Sequence, residues 1–306
     1  MQNNILPSWN ETPIKKTIIE FLGKITKENS PEFIPVKDRI AVFDNDGTLW
    51  TEQPLQVQVL YCLDRMRVLG DKDPGLVETQ PLKGFYERDL KMISSMTKED
   101  LFTFLLTTLD GNTPEDYRNL VLEWFKNAVH PKFKFSYYNT AFKPQIELLR
   151  YLEANGFKNF IVSGGGIDFM RTIGERIYEL PEYQIIGSSI KTKVEYDGTI
   201  PIVKRDQLLN SFDDREEKIN NINLHIGKKP VLAFGNSDGD LAMIRYTLSN
   251  GGLGFILHHD DDVREVAYDR NFRLSPLNEG LDVAEKEGIN IVSMKNDWKE
   301  IFSVNS

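Results

Sequence analysis

A chain of 306 residues, 40% hydrophobic and 27% charged, carries enough apolar matter for one large domain or two smaller ones and is not a disordered chain. Its 46 acidic against 37 basic residues leave a net charge of −9, which disfavours nonspecific binding to nucleic acid or an anionic membrane, so any charge that handles phosphate must be local. The single Cys62 excludes an internal disulfide and a cysteine metal cluster, and no apolar run approaches the length of a membrane span.

The opening Met1-Gln-Asn-Asn-Ile5 lacks the basic segment and apolar core of a secretory signal, so a cytoplasmic location is expected. A chain whose leader had been removed would read the same, which keeps a periplasmic or exported location as the alternative.

Pro13 opens an amphipathic helix with Ile14, Ile18, Leu22 and Ile25 on one face. The run 39–43 then reads as a buried strand, and it ends in two acids, Asp44 and Asp46, followed at once by Gly47 and Thr48. Carboxylates are depleted from strands and costly to bury unpaired, so two of them beside an apolar strand call for a cation or a chemical purpose. The plain alternative is a solvated Asp-Asn-Asp-Gly turn. An EF-hand calcium loop is excluded, because Gly47 stands fourth from Asp44 where that loop needs its glycine sixth.

Residues 51–142 are rich in Leu, Met, Phe, Glu and Lys with little β-branched alternation, which predicts a helical insertion; Trp50, just before it, is expected to pack at the junction. Lys143 and Pro144 open a helix through Leu152 that Gly156 closes, and 159–162 is the next buried strand. The turn Ser163-Gly164-Gly165-Gly166 follows, before a helix over 167–180. Such a turn offers main-chain N–H groups and a hydroxyl to an anion, although a glycine turn alone is more often a tight connection. It is neither a Walker A loop nor a dinucleotide fingerprint.

Farther on, 185–190 and 194–201 read as short strands with Asp197-Gly198 as the hairpin signal. A third buried strand, 231–234, ends in Gly235-Asn236-Ser237-Asp238-Gly239-Asp240 and a helix over 241–248. Strands at 252–257 and 289–293 complete the pattern. Strands alternating with helices predict a parallel sheet with helices on both faces, and parallel strands bring the Asp44/Asp46, Ser163/Gly164 and Asn236/Asp240 loops to one edge. The run His258-His259-Asp260-Asp261-Asp262 is read as a solvated loop, and Lys228-Lys229 as a surface turn.

Together these residues resemble the haloacid dehalogenase-like hydrolase superfamily, in particular its phosphatases related to phosphoserine phosphatase. Asp44-Asn45-Asp46-Gly47-Thr48 is similar to the first motif, Ser163-Gly164 to the second, Lys218 to the lone lysine of the third with Lys204 as the alternative, and Gly235 to Asp240 to the fourth. The resemblance implies an α/β fold: a Rossmann-like doubly wound parallel sheet core, formed by 1–50 and 143–306, with 51–142 inserted as an α-helical cap.

The resemblance also implies a Mg²⁺-dependent phosphomonoester hydrolase acting on a small phosphorylated metabolite, while the net charge leads to no nucleic-acid partner being expected and the hydropathy to no membrane span. Asp44 would be the nucleophile that forms an aspartyl-phosphate and Asp46 the general acid and base. Mg²⁺ would be held by Asp44, the main-chain carbonyl of Asp46 and Asn236, with Thr48, Asp238 and Asp240 in support. Ser163, the Gly164 N–H and Lys218 would clamp the phosphoryl oxygens.

An acid at 46 argues against a dehalogenase, which has no alkoxide to protonate. A phosphotransferase or phosphomutase is the enzymatic alternative, and a catalytically silent phosphate-binding member the other. Two departures from the family pattern stand out. Asn236 occupies a place where relatives usually put a metal-binding Asp, so Asp238 is the expected compensation. Phosphoserine phosphatases carry a Glu toward the substrate amine at the place held here by Gln53, with Glu52 beside it; these two residues are the expected substrate-facing pair, and phosphoserine itself is not implied. Oligomeric state is not legible in the chain.

Overall fold

The computed structural model describes residues 5–109 and 111–304; residues 1–4, on which the reading of the leader rests, lie outside them. The strands are β1 (Ile40–Phe43), β2 (Lys158–Gly166), β3 (Ile185–Asp197), β4 (Ile200–Ser211), β5 (Leu232–Gly235), β6 (Leu253–His258) and β7 (Asn290–Ser293). Among the described residues they form one sheet in the order β4-β3-β2-β1-β5-β6-β7. Every pairing is parallel except β3 with β4.

Along the central strands, period-two apolar sequence divides the side chains between two cores. Ala41, Phe43, Ile161, Leu232, Phe234, Phe255 and Leu257 face one. Ile40, Val42, Phe160, Val162, Ala233 and Ile256 face the other. Phe43, Phe234 and Phe255 stack across three neighbouring strands at 6.1 and 5.3 Å.

The first face is covered by α1 (Pro13–Thr26), α7 (Lys143–Ala154) and α8 (Ile167–Tyr178), through Leu22, Leu149 and Phe169 among others. The second is covered by α9 (Glu216–His225), α10 (Leu241–Leu248) and α11 (Glu279–Glu287), through Ile222, Ile244 and Ala284, and α12 (Met294–Asp297) follows β7. Helices on both faces of a mostly parallel sheet make the fold Rossmann-like and doubly wound, as expected. Because β1 lies between β2 and β5, the chain switches sides there, and the crevice at such a point is where open α/β sheets bind ligands.

Between β1 and β2 the chain is helical: α2 (Val57–Lys72), α3 (Leu82–Glu87), α4 (Leu90–Ser95), α5 (Lys98–Thr108) and α6 (Pro114–Phe125). Reciprocal capping boxes start α5 and α6, Thr97 with Asp100 and Thr113 with Asp116. Tyr61 of α2 and Phe125 of α6 meet Phe169 of α8 at 5.7 and 5.8 Å, so this segment shares a core with the sheet. No helix among the described residues is long and apolar enough to cross a membrane.

Two expectations need correction. The Ser163 to Gly166 turn stays within β2 and α8 begins at once, because Ser163 and Gly166 remain registered with Gly187 and Ser188 of β3 across a bulge. The two short strands predicted at 185–190 and 194–201 are instead the long arms of one hairpin, turning at Gly198 with φ +61°, whose return arm continues to Ser211. Cross-strand pairs such as Val194 with Val203 carry the pairing far past the turn.

Where β3 passes beneath the end of β2, Gly187 lies so close that a Cβ would stand 2.6 Å from the Gly165 carbonyl and press on the Met170 methyl. Gly187→Ala is expected to cost about 1–3 kcal/mol, as overpacking against backbone does, read as a lowered urea midpoint. An unchanged midpoint would mean the crossover is not tightly packed.

Candidate active site

Asp44 follows β1 directly, and its N–H continues the ladder by donating to the Phe234 carbonyl at 2.9 Å. The chain then turns: Gly47 takes φ +75°, and Thr48 and Leu49 N–H groups donate to the Asn45 carbonyl at 3.1 and 2.8 Å. A Cβ on Gly47 would run into the side chains of Asn236 and Glu52, so glycine is required there for space as well as for its backbone conformation.

Lys218 reaches this loop from α9. Its buried ammonium donates to Asp44 Oδ1 at 2.7 Å, to Asp240 Oδ1 at 2.5 Å and to the Val162 carbonyl at 2.9 Å. Burial lowers the Lys218 pKa, yet the charges of Asp240, Asp44 and Asp213 outweigh it, and the group stays protonated. Burial, followed by the Asp240 charge, pushes the Asp44 carboxyl up against the opposing pull of Lys218. Lys204, on β4, is not among the residues lining the cavity.

Asp46 accepts the Trp50 indole N–H at 2.9 Å. Burial raises its pKa to about 6, while the bonds from Trp50 and Asn45 restrain the rise. An acid poised there can both give and take a proton near neutral pH. Trp50 is buried and stacks on Phe125, so it packs at the junction as expected and also orients Asp46.

Ser163 is buried at the same edge, with its hydroxyl accepting the Gly165 N–H at 3.1 Å. The Gly166 N–H is taken by Gln58 Oε1 at 2.7 Å, a partner from α2 that the sequence pattern did not reveal. Asp44, Asp46, Ser163, Gly164, Lys218 and Asp240 all line one cavity of about 230 Å³. Asp240 also accepts the main-chain N–H groups of Asn236 and Ser237 at 2.9 and 3.0 Å, which shapes the loop after β5.

The remaining expected residues lie elsewhere. Asp238 does not compensate for Asn236: its carboxylate accepts the N–H groups of Asn278, Glu279 and Gly280 at the start of α11. Glu52, expected to face substrate, is not among the residues lining the cavity. It is fully buried and accepts from Asn236 Nδ2 and Tyr268 at 2.7 Å, Ser275 at 2.8 Å and Gln56 at 3.0 Å. Gln53 is likewise off the cavity wall, its carbonyl bonded to His130 at 2.7 Å. The acid missing at 236 is thus found as Glu52, behind the Asn236 amide rather than in its place. Burial pushes the Glu52 carboxyl well up, against its hydroxyl bonds from Tyr268 and Ser275.

The run at 258–262 is not a solvated loop. His259 is buried, stacks on Tyr268 at 4.3 Å and bonds the Gly47 carbonyl at 2.7 Å, bracing the turn after Asp44. Asp261 accepts the nearby main-chain N–H groups of Val263 and Arg264, and Asp260 accepts the distant Lys295 N–H at 2.9 Å. Lys228 bonds Asp38 and the Lys37 carbonyl at the surface, as expected of a surface turn.

The donor set suits a hard divalent cation. The expected ligands would offer oxygen atoms alone, from Asp44, the Asp46 carbonyl and Asn236 Oδ1; Asn236 itself does not line the cavity, and its Oδ1 accepts the Thr48 hydroxyl at 3.1 Å. Asp44, Asp46 and Asp240 bring more negative charge than Lys218 balances. Among the described residues no three His, Cys, Asp or Glu side chains group as a metal cluster. A magnesium ion, which keeps several waters and needs one or two carboxylates, fits such a mixed set better than a cation that demands a full protein cage.

A family model for haloacid dehalogenase-like hydrolases matches residues 41–245, which contain every one of these cavity-floor residues and more than half of the chain. The chain belongs to this family. Comparison with curated proteins finds no match. The fold is shared with a functionally unknown protein from Anaerococcus prevotii, at 18% identity and TM-score 0.57 over 92% of this chain and 91% of that one. It is shared too with a protein of unknown function from Bordetella pertussis, at 15% identity and TM-score 0.52 over 83% of this chain and 98% of that one. A phosphoserine phosphohydrolase-like protein from Francisella tularensis is more distant, at 16% identity and TM-score 0.40 over 81% of this chain and 98% of that one.

Two outcomes follow from the buried acids. Asn236→Asp would set a second carboxylate against Glu52 and is expected to cost about 2–4 kcal/mol of unfolding free energy at neutral pH. Adding Glu52→Gln should recover part of that loss; strictly additive costs would show that the two side chains do not couple.

Asp213 gives the second. It is buried, its Oδ1 accepts from Asn221 at 2.9 Å, and burial raises its pKa from 3.8 to about 6 against the pull of Lys218. The folded chain therefore keeps a proton that the unfolded chain has released. This group's stabilisation is complete below about pH 4 and is lost as pH rises through about 6, a change of about 1–3 kcal/mol. Asp213→Asn should flatten this slope, so that urea unfolding at pH 7.5 favours the variant more than at pH 4.5. Equal differences at both pH values would count against it.

Proposed function

We propose that the chain is a Mg²⁺-dependent phosphomonoester hydrolase that acts on a small phosphorylated compound through an aspartyl-phosphate at Asp44. The observation that carries this reading is the convergence of Asp44, Asp46, Ser163 and Lys218 on one cavity at the carboxyl edge of the sheet. Binding alone would have no use for a half-buried acid poised at Asp46, and membership of the hydrolase family supports a reaction.

In this reading the Asp44 carboxylate attacks phosphorus, a new Asp44 oxygen to phosphorus bond forms, and the bond from phosphorus to the ester oxygen breaks. Asp46 gives its proton to the departing alcohol oxygen. It then takes a proton from water, whose oxygen attacks the same phosphorus and releases inorganic phosphate, restoring Asp44. Lys218 and Ser163 hold the phosphoryl oxygens as charge shifts between them, and Trp50 keeps Asp46 aimed. Mg²⁺, when bound by Asp44, the Asp46 carbonyl and Asn236, offsets the charge of the phosphoryl group and of the crowded acids.

Residues 51–142 serve as the cap over a core formed by 1–50 and 143–306. α5 supports this role, since it contributes Leu101, Phe102 and Leu105 to the cavity that the acids also line.

Phosphate release from acetyl phosphate and p-nitrophenyl phosphate should require Mg²⁺, stop with EDTA and resume on adding the metal back. Asp44→Asn is expected to abolish turnover, and Asp46→Asn to lower kcat by roughly 10²–10⁴-fold. A folded wild-type chain inert toward both compounds would sink the proposal.

A further inference from the structure

The cavity above the acids has walls of a different character from its floor. One wall is the face of α5 formed by Leu101, Phe102, Leu105 and Leu106, together with Leu109 just after the helix. The facing wall comes from the hairpin, through Ile190, Leu209 and Phe212, with Leu274 beside it. Phe102 and Phe212 meet edge to face at 5.2 Å, which joins the two walls. Phe102 and Leu106 stand outside both cores of the protein, so apolar surface is left for something else to cover.

Most of the polar groups on these walls are engaged within the protein, while Gln56 Oε1 is buried without a partner. Gln56 donates to Glu52, Gln58 accepts from Gly166, and the Ser275 hydroxyl donates to Glu52. Ser188 is bonded to the Gly164 carbonyl and the Asp213 N–H, and Ser189 accepts from Asn210. A sugar or polyol would therefore bury most of its hydroxyls against apolar side chains, at the cost of their desolvation.

Charge narrows the choice further. Among the described residues lining the cavity Lys218 is the one cation, and Asp44, Asp240 and the Val162 carbonyl share it. A second phosphate or a carboxylate on the substrate would meet no counter-charge. Asp214, the acid outside the floor, is half-exposed with Arg215 3.9 Å away, a loose pair, so an ammonium-bearing ester is the polar competitor that the test has to separate. The volume of about 230 Å³ is below the roughly 300–1,000 Å³ of pockets for drug-sized ligands.

We propose that the ester cleaved here carries a compact, uncharged, apolar organic group, a short alkyl or small aryl monophosphate, which Leu106, Phe102, Ile190 and Phe212 cover while the phosphoryl group meets the acids. This rests on the phosphatase reading above and specifies its substrate class.

The test compares alkyl esters of similar leaving-group chemistry with Mg²⁺ present: n-hexyl phosphate against glucose 6-phosphate, phosphoserine and phosphoethanolamine, with acetyl phosphate as the control for phosphoryl transfer. The expected result is kcat/KM for hexyl phosphate at least tenfold above each polar ester. In Leu106→Asn and in Phe212→Ser, which alter opposite walls, the ratio of hexyl phosphate to glucose 6-phosphate should fall about tenfold. Equal or faster turnover of any polar ester would overturn the substrate class and leave the phosphatase reading standing. An unchanged ratio in both variants, with their thermal unfolding intact, would also overturn it. No turnover of any ester or of acetyl phosphate would remove the phosphatase reading and this inference with it.

Discussion

Lys218 is a cation enclosed by protein, and its three hydrogen bonds tie together the ends of three different strands: Asp44 after β1, the Val162 carbonyl in β2 and Asp240 beyond β5. Removing one partner from a buried, bonded charge pair costs roughly 3–5 kcal/mol, because the survivor is left uncompensated. Asp44, the stretch of β2 that leads into Ser163 and the loop after β5 are therefore held in one frame by a single side chain. The same ammonium that would meet a phosphoryl group is already organising the acids, so little rearrangement is needed to assemble the floor.

Features that were legible from the chain are those encoded locally. An apolar run ending in Asp44 and Asp46, a small-residue segment at Ser163 and an acidic loop after β5 each sit within a few residues, and parallel pairing then brings them to one edge. Alternation along β1, β5 and β6 likewise gave the two-faced sheet. The lysine on α9 could be chosen only through resemblance, since sequence alone does not show that its side chain turns inward.

What escaped prediction depends on partners far apart in the chain. Glu52 reads as a neighbour of Gln53 and so as a substrate contact, yet its partners Asn236, Tyr268 and Ser275 lie more than 180 residues away. Asp238 belongs to the acidic loop by spelling and to α11 by hydrogen bonding. His259 appeared in a polar run with no apolar pattern to mark burial, and only the return of that loop beneath Gly47 encloses it. The hairpin was underestimated because its outer arms are exposed on both faces, where burial imposes no alternation for a reader to detect.

The contact between Phe102 and Phe212 joins two stretches of chain that contain none of the acids, one in the helical insertion and one at the end of the hairpin. Floor and walls are thus written in separate passages of the gene. Drift in α5 or at the foot of β4 can remake the space inside the cavity while leaving the acid and lysine framework intact, so descendants of this chain could change what the cavity admits without disturbing its floor.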